Sequence, residues 1–206
     1  MKQKFILRLT SIFVFVFILM GTFITTEAAV KKVAIGTFAN GAKSRYGTLA
    51  CSNLESNIFS GLVQNKNYEV VERAQLDQIF RELGLQNSGV VDSKSAIEIG
   101  NLSGADYTLV GKVLTAEVIP FDNILYRGYK GKVAFEMHFV DNKTGLVLYS
   151  DVISDTDSQM YSPGVSVNER VLISGAAHNA ANKVLEKMNE ITPLTGTVLN
   201  VDRAED

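Results

Sequence analysis

Hydrophobic residues recur with a helical period in the first half of the chain and again near its end. Their spacing of three or four residues is that of amphipathic helices. The apolar faces are Cys51, Leu54, Ile58 and Leu62; Leu76, Ile79, Phe80 and Leu83; Ala96, Ile97 and Leu102; and Ile173, Ala177, Ala180, Val184, Met188 and Ile191. The predicted helices run from Thr48 to Gln64, from Arg73 to a stop at Gly84, from an Asp92 N-cap to Gly104, and from a capping box of Ser166 with Glu169 to about Glu190.

Strand-like segments surround these helices, and their pattern predicts the fold class. The predicted strands are residues 32–38, 68–72, 106–119, 131–141 and 146–155, with turns at 120–128 and 142–145. In residues 131–141 apolar and polar side chains alternate, which favours antiparallel pairing with one wet face. Elements that first alternate and then become consecutive strands predict an α/β (α+β) fold, a mixed β-sheet flanked by helices. The expected core residues are Leu54, Ile58, Leu76, Ile79, Phe80, Leu109, Phe135 and Val184.

The N-terminus has the pattern of a secretory signal peptide. A basic start is followed by an apolar run at 12–24, and Thr26 and Ala28 occupy the −3 and −1 positions of a cleavage site. The alternative is an uncleaved N-terminal anchor. The predicted organisation is therefore a signal peptide at 1–28, a globular domain at 30–191, and a C-terminal strand-like tail at 192–206. We expect an exported protein, periplasmic or associated with the outer membrane.

Charge and cysteine content limit the possible partners and anchors. The formal net charge is −2, and loss of the signal removes a net +2 (Lys2, Lys4, Arg8 and Glu27), which leaves about −4. A mildly acidic chain without basic runs is a poor candidate for binding nucleic acid, and at most peripheral membrane contact is expected. Cys51 is the single cysteine, so the chain has no internal disulfide, and no lipobox precedes it. The chain is not an obvious lipoprotein.

No motif predicts catalysis, a cofactor or a metal. The segment GTFANGAKS resembles a phosphate-binding loop, but Ala42 separates the second glycine from Lys43. His138 and His178 have no second ligand at zinc-binding spacing, and Cys51 lies on an apolar helix face. We therefore expect a protein that is not an enzyme and that has no catalytic, cofactor-binding or metal-binding residues.

The order of several short motifs resembles the curli secretion-channel (CsgG) family. Relatives of that family include the lipoprotein activators of penicillin-binding proteins and the N-terminal domain of TolB-type proteins. The resemblance spans roughly 31–191, and it includes VAIGTF at 33–38 and VDNKTGLVLYS at 140–150. The other residues that carry it are Glu72, Arg73, Leu76, Ile79, Leu102, Gly104, Ala105, Asp106, Tyr107, Gly111 and Val113.

The resemblance implies a CsgG-like periplasmic domain that assists assembly or export of envelope or curli-type components. In that family two long hairpins from each subunit build a shared transmembrane barrel. Here the matching segments, 117–132 and 153–166, are short, and the second is polar. We therefore expect a globular envelope domain. The alternatives are a pore-forming outer-membrane secretion subunit and an activator of a peptidoglycan synthase.

Three loops are expected at one end of the sheet, at 40–46, 121–129 and 159–166. They are rich in tyrosine and arginine, the residue types that dominate binding hot spots. The candidate protein-binding residues are Arg45, Tyr46, Phe121, Tyr126, Arg127, Tyr129 and Tyr161, with Met160 beside them. The expected partners are other envelope proteins or further copies of the chain in a homo-oligomeric ring. The alternative is that these side chains pack within their own domain.

The signal sequence generates the first testable prediction. N-terminal sequencing of the exported protein should begin at Ala29 or within a residue or two of it, because Ala28 completes the cleavage site. A mature form that retains Met1 would instead indicate the uncleaved anchor.

Overall fold

A computed structural model of the protein describes residues 30–65, 67–85, 92–123 and 126–191. The strands in these ranges are β1 (Lys31–Ile35), β2 (Ala39–Asn40), β3 (Tyr68–Val70), β4 (Tyr107–Asp122), β5 (Arg127–Asp141) and β6 (Val147–Met160). The helices are α1 (Gly47–Gln64), α2 (Arg73–Glu82), α3 (Ser93–Ser103) and α4 (Glu169–Ile191). The predicted signal peptide at 1–28 and tail at 192–206 lie outside the described residues.

The described strands form one mixed, open sheet in the order β3–β1–β4–β5–β6, with β2 beside β4. β1 pairs in parallel with both β3 and β4, and β2 also pairs in parallel with β4. β4, β5 and β6 form an antiparallel meander. With four described helices around this sheet, the predicted α+β fold and mixed sheet are confirmed.

One face of the sheet is covered by α1 and α4. The inward side chains of β5 (Val133, Phe135, Met137 and Phe139) are all fully buried there. α4 packs through alanines such as Ala177 and Ala180, whose small side chains allow the helix to approach closely. Each fully buried Val, Phe or Met side chain of β5 contributes roughly 1.5–3 kcal/mol of transfer free energy. The predicted alternation of β5 and the predicted faces of α1 and α4 are confirmed.

The opposite face carries α2 and α3, which cover the β1 end of the sheet. Leu76, Ile79 and Phe80 from α2 join Ile99 from α3 in a second buried cluster. All eight residues expected in the core are buried, each with at most 5% of its surface exposed. α2 begins at Arg73 as predicted, and Gly84 and Gly104 follow their helices with positive φ, the conformation that glycine adopts without strain.

Two details of the predicted helices are wrong. Leu102 was expected on the apolar face of α3, but it is 52% exposed, since the buried face is formed by Ala96, Ile99, Gly100 and Ser103. The capping box with Ser166 is also wrong, because α4 begins only at Glu169, so that Asn168 rather than Ser166 precedes its first residue. Asn168 accepts the hydrogen bonds of the first turn, including one from the Val171 N–H to its side chain at 3.4 Å.

The meander is longer than the sequence indicates. The segment 120–128 was expected to be a turn, but β4 continues to Asp122 and β5 begins at Arg127. β6 likewise extends beyond its predicted end, to Met160. Pro120 can occupy a strand here because the other side of β4 has no paired strand beyond Val113 in the described residues. The end of this three-stranded meander forms the candidate site described below.

None of the helices in the described ranges combines the length and the apolar character needed to cross a membrane.

Packing of α2 gives the second testable prediction. Phe80 is 2% exposed in the second cluster, so Phe80→Ala should lower the free energy of unfolding by roughly 3–5 kcal/mol in urea titrations. A loss below about 1 kcal/mol would contradict the packing of this helix face.

The α3 cap gives the third prediction. The Asp92 carboxylate accepts hydrogen bonds from the Ser95 N–H at 2.9 Å and from the Ser95 hydroxyl at 2.8 Å, and these bonds lower its pKa below the ordinary 3.8. Asp92→Ala should cost about 1 kcal/mol at neutral pH. Because the folded-state pKa is the lower one, this stabilisation is complete above the unfolded-state pKa and is lost as pH falls through the folded-state value.

Urea titrations of both proteins at neutral pH and at a series of acidic pH values measure this difference. A gap between wild type and Asp92→Ala that stays constant down to pH values well below 3.8 would show that the ionised carboxylate is not the cap.

Candidate functional site

The end of the β4–β5–β6 meander carries a cluster of aromatic side chains and one methionine, here called the aromatic tip. It consists of Phe121, Tyr126, Tyr129, Met160 and Tyr161. Strand pairing brings them together: Phe121 lies opposite Gly128, Gly128 lies opposite Met160, and the Tyr161 N–H donates to the Arg127 carbonyl at 2.9 Å. The residues expected in two separate loops therefore belong to one continuous ribbon, and several of them lie in strands.

Four side chains of the aromatic tip are open to solvent. The exposed fractions are 55% for Tyr126, 36% for Tyr129, 54% for Met160 and 57% for Tyr161. Exposed tyrosines gathered at the end of a rigid ribbon offer large contact area with little loss of side-chain entropy, which is the usual composition of binding hot spots.

Phe121 differs from its neighbours because it packs within the ribbon. Its ring lies over Gly128, where a Cβ atom would come within 2.8 Å of the ring. The Lys130 ammonium lies 5.9 Å from the ring centroid. Of the predicted binding residues in the ribbon, Phe121 is therefore a packing residue, which agrees with the alternative considered from the sequence.

Arg127 lies at the base of the turn and is 66% exposed. Its guanidinium is 3.4 Å from the Asp122 carboxylate on the paired strand. Exposed ion pairs of this kind contribute about 0–1 kcal/mol, so Arg127 contributes little to the fold. Among the described residues no other side chain pairs with its remaining N–H groups.

Arg45 and Tyr46 belong to a different region, between the first turns of α1 and α4. The Arg45 guanidinium is 2.5 Å from the Glu169 carboxylate and 4.9 Å from the ring centre of Tyr46. Tyr46 is half-buried against the main core, and its hydroxyl is buried with no hydrogen-bond partner in the described part of the chain. An open groove of about 870 Å³ lies beside them, lined also by Thr48, Asn168 and Arg170.

A second cavity, of about 370 Å³, was not expected from the sequence. It is lined by Ile35, Ser52, Glu55, Ser56, Phe59, Ser60, Arg73 and Leu76, and is here called the Glu55 pocket. Glu55 borders the apolar face of α1, next to Leu54, and is 15% exposed. In the sequence, the only signal for this pocket is a charged residue beside the apolar face of α1. The arginine that pairs with Glu55 comes from α2, and the spacing of residues along the chain does not predict that pairing.

The Glu55 carboxylate is held on both sides. One oxygen accepts the Phe38 N–H at 2.6 Å, and the other accepts an Arg73 N–H at 3.0 Å. Burial nevertheless raises its pKa, because the loss of solvent outweighs the stabilising bonds from Phe38 and Arg73. The charge is therefore incompletely compensated by the protein itself.

The nucleophile and metal candidates line neither cavity. Cys51 is buried on α1, and burial raises the pKa of its thiol to about 12, so it behaves as a small hydrophobic residue, as the sequence indicates. His138 lies 3.3 Å from Glu136 on β5, while His178 on α4 contacts Asn57 and Asn182. In the described ranges no group of three His, Cys, Asp or Glu residues is placed to hold a metal ion.

Comparison with solved structures gives weak matches. The chain is similar to LpoB from E. coli (17% identity, TM-score 0.45, covering 64% of this chain and 60% of LpoB). It is also similar to the lipoprotein GNA1162 from Neisseria meningitidis (17%, 0.46, covering 78% and 99%) and to a PelC dodecamer from Paraburkholderia phytofirmans (19%, 0.39, covering 75% and 86%). The match spans less than two thirds of LpoB. At TM-scores below 0.5 these structures carry no conclusion about activity.

Comparison with curated protein sequences gives no significant match. The sequence model of the family described as "Curli production assembly/transport component CsgG" matches residues 26–121, slightly less than half of the 206-residue chain. These residues contain β1 to β3, all but the last residue of β4, and the first three helices, including the motif that runs from Arg73 to Val113. The resemblance to the CsgG family indicated by the sequence is thus confirmed over residues 26–121.

Proposed function

We propose that this chain is an exported cell-envelope protein that acts without turnover, through protein–protein contacts made by the aromatic tip. Its role is to assist assembly or export of envelope components, and it is periplasmic or associated with the outer membrane. The partner is another envelope protein or a second copy of the chain.

The match of residues 26–121 to a family described by assembly and transport supports the envelope role. The signal-like N-terminus supports export independently, since it was identified from charge and hydrophobicity. Fold alone does not determine function, so the proposed contact surface rests on the exposed side chains of the aromatic tip.

The exposure of the aromatic tip is the observation that carries the proposal. Tyr126 and Tyr161 are each more than half exposed, although a tyrosine ring is stabilised by burial. The ribbon that holds them is fixed by continuous pairing of β4, β5 and β6, so little order is lost on binding. The side chains described around the tip offer aromatic surface and an arginine but no pairing of nucleophile and base, which supports binding without catalysis.

The fourth prediction tests this surface. Replacing Tyr126 and Arg127 together by alanine should weaken self-association or partner capture by at least about tenfold, since both types are frequent hot-spot residues. The melting temperature should stay nearly unchanged, because both side chains are more than half exposed. Analytical ultracentrifugation measures self-association, and cross-linking in envelope fractions measures capture of another protein.

Two control variants make the result specific. Leu102→Ala with Arg81→Ala removes an exposed apolar side chain and an exposed arginine from the opposite face, and should leave association intact. Tyr46→Phe removes a buried hydroxyl that has no described partner. It should leave association unchanged and should not lower the melting temperature. If the Tyr126 and Arg127 variant melts at a much lower temperature but associates normally, these side chains belong to the fold and the proposal is wrong.

A further inference from the structure

The Glu55 pocket occupies a point where the chain leaves the sheet in two directions. After β1 the chain passes to α1 on one face, and after the neighbouring parallel strand β3 it passes to α2 on the other. The pocket lies in the crevice between these paths and is lined by Ile35 at the carboxyl end of β1, by α1, and by Arg73 and Leu76 of α2. Open sheets with parallel strands bind ligands in crevices of this kind.

The polar groups of the pocket have unused hydrogen-bonding capacity. A carboxylate offers about four acceptor positions, and the described contacts of Glu55 occupy two of them. Arg73 directs one Nη2 N–H to Glu55 and its Nε toward Asp77 at 3.3 Å, which leaves its Nη1 group without a partner among the described residues. The hydroxyls of Ser52, Ser56 and Ser60 are one helical turn apart on the α1 wall, and none bonds to another described residue.

Because the Glu55 carboxylate and the Arg73 guanidinium are in contact, the pocket favours a ligand that carries both a positive and a negative charge. A simple amine beside Glu55 also meets the Arg73 guanidinium, and a simple carboxylate beside Arg73 also meets Glu55, because the two side chains are 3.0 Å apart. In an α-amino acid the ammonium and the carboxylate are separated by one carbon, a spacing that matches this pair. The apolar side chains of Ile35, Phe59 and Leu76 complete the lining.

We propose that the Glu55 pocket binds a small zwitterion of the α-amino-acid class. The ligand's ammonium contacts Glu55, its carboxylate contacts the free Nη1 side of Arg73, and an apolar side chain contacts Phe59 and Leu76. A volume of about 370 Å³ suits a single amino acid and lies at the lower end of small-molecule pockets. The incompletely compensated Glu55 charge gives an added cation a favourable partner. This site is separate from the aromatic tip, so it does not depend on the protein-contact proposal.

A matched set of probes tests the charge requirement. Leucine and phenylalanine, each in the L and D forms, should shift the amide NMR signals of Ser56, Ser60 and Leu76 at millimolar concentration. Isopentylamine and 4-methylpentanoic acid, which keep the leucine side chain but carry one charge each, should bind about tenfold more weakly or worse. No shift with any of the four amino acids overturns the proposal, and equal binding of a single-charge analogue overturns the zwitterion assignment.

Two variants locate the binding. Ser56→Phe fills the pocket from an exposed position of α1 and should abolish the shifts without lowering the melting temperature. Val63→Phe, at a position of the same helix that is 58% exposed and outside the pocket, is its control and should bind as wild type. Glu55→Gln keeps the shape but removes the charge, and should weaken binding about tenfold. Binding that survives Ser56→Phe would place the ligand elsewhere and contradict the site.

Discussion

The burial of one row of side chains on β5 is the constraint on which the rest of the structure depends. Val133, Phe135, Met137 and Phe139 are fully buried beneath α1 and α4, and a strand exposes every second side chain to the same face. A shift of one residue in the pairing with β4 or β6 would move this whole row to the other face. The row therefore fixes the register of the meander, and with it the positions of all the residues beyond.

The same register determines where the core ends and the exposed ribbon begins. Gly131 marks this point, because a Cβ atom there would come within 2.5 Å of the Leu172 carbonyl near the start of α4. On one side of Gly131 the strand is covered by the helix. On the other side the ribbon extends past the helix to Asp122 and Arg127, where no described element covers it. The exposure of Tyr126 and Tyr161 follows from where α4 begins, beside Gly131, rather than from any local preference of the tip.

The two candidate sites differ in their physical basis. The aromatic tip offers apolar area on a rigid support, which suits a protein surface that can exclude water around it. The Glu55 pocket offers paired charges in a small crevice, where specificity arises from unsatisfied hydrogen-bonding groups. In the α1–α4 groove the Arg45 charge is paired with Glu169, and the Tyr46 ring is part of the packing.

Local patterns in the sequence were sufficient for the element types, the mixed sheet and the eight core residues, because hydrophobic period directly reflects which side of an element is buried. They also identified the Asp92 cap and the glycine ends of α2 and α3, which depend on neighbouring residues alone. The tertiary structure decided what depends on distant contacts. These are the exposure of Leu102, the later start of α4, the separation of Arg45 from the aromatic tip, and the meeting of Glu55 with Arg73 across two helices. Such features require elements far apart in sequence to pack together, and no local spacing encodes that packing.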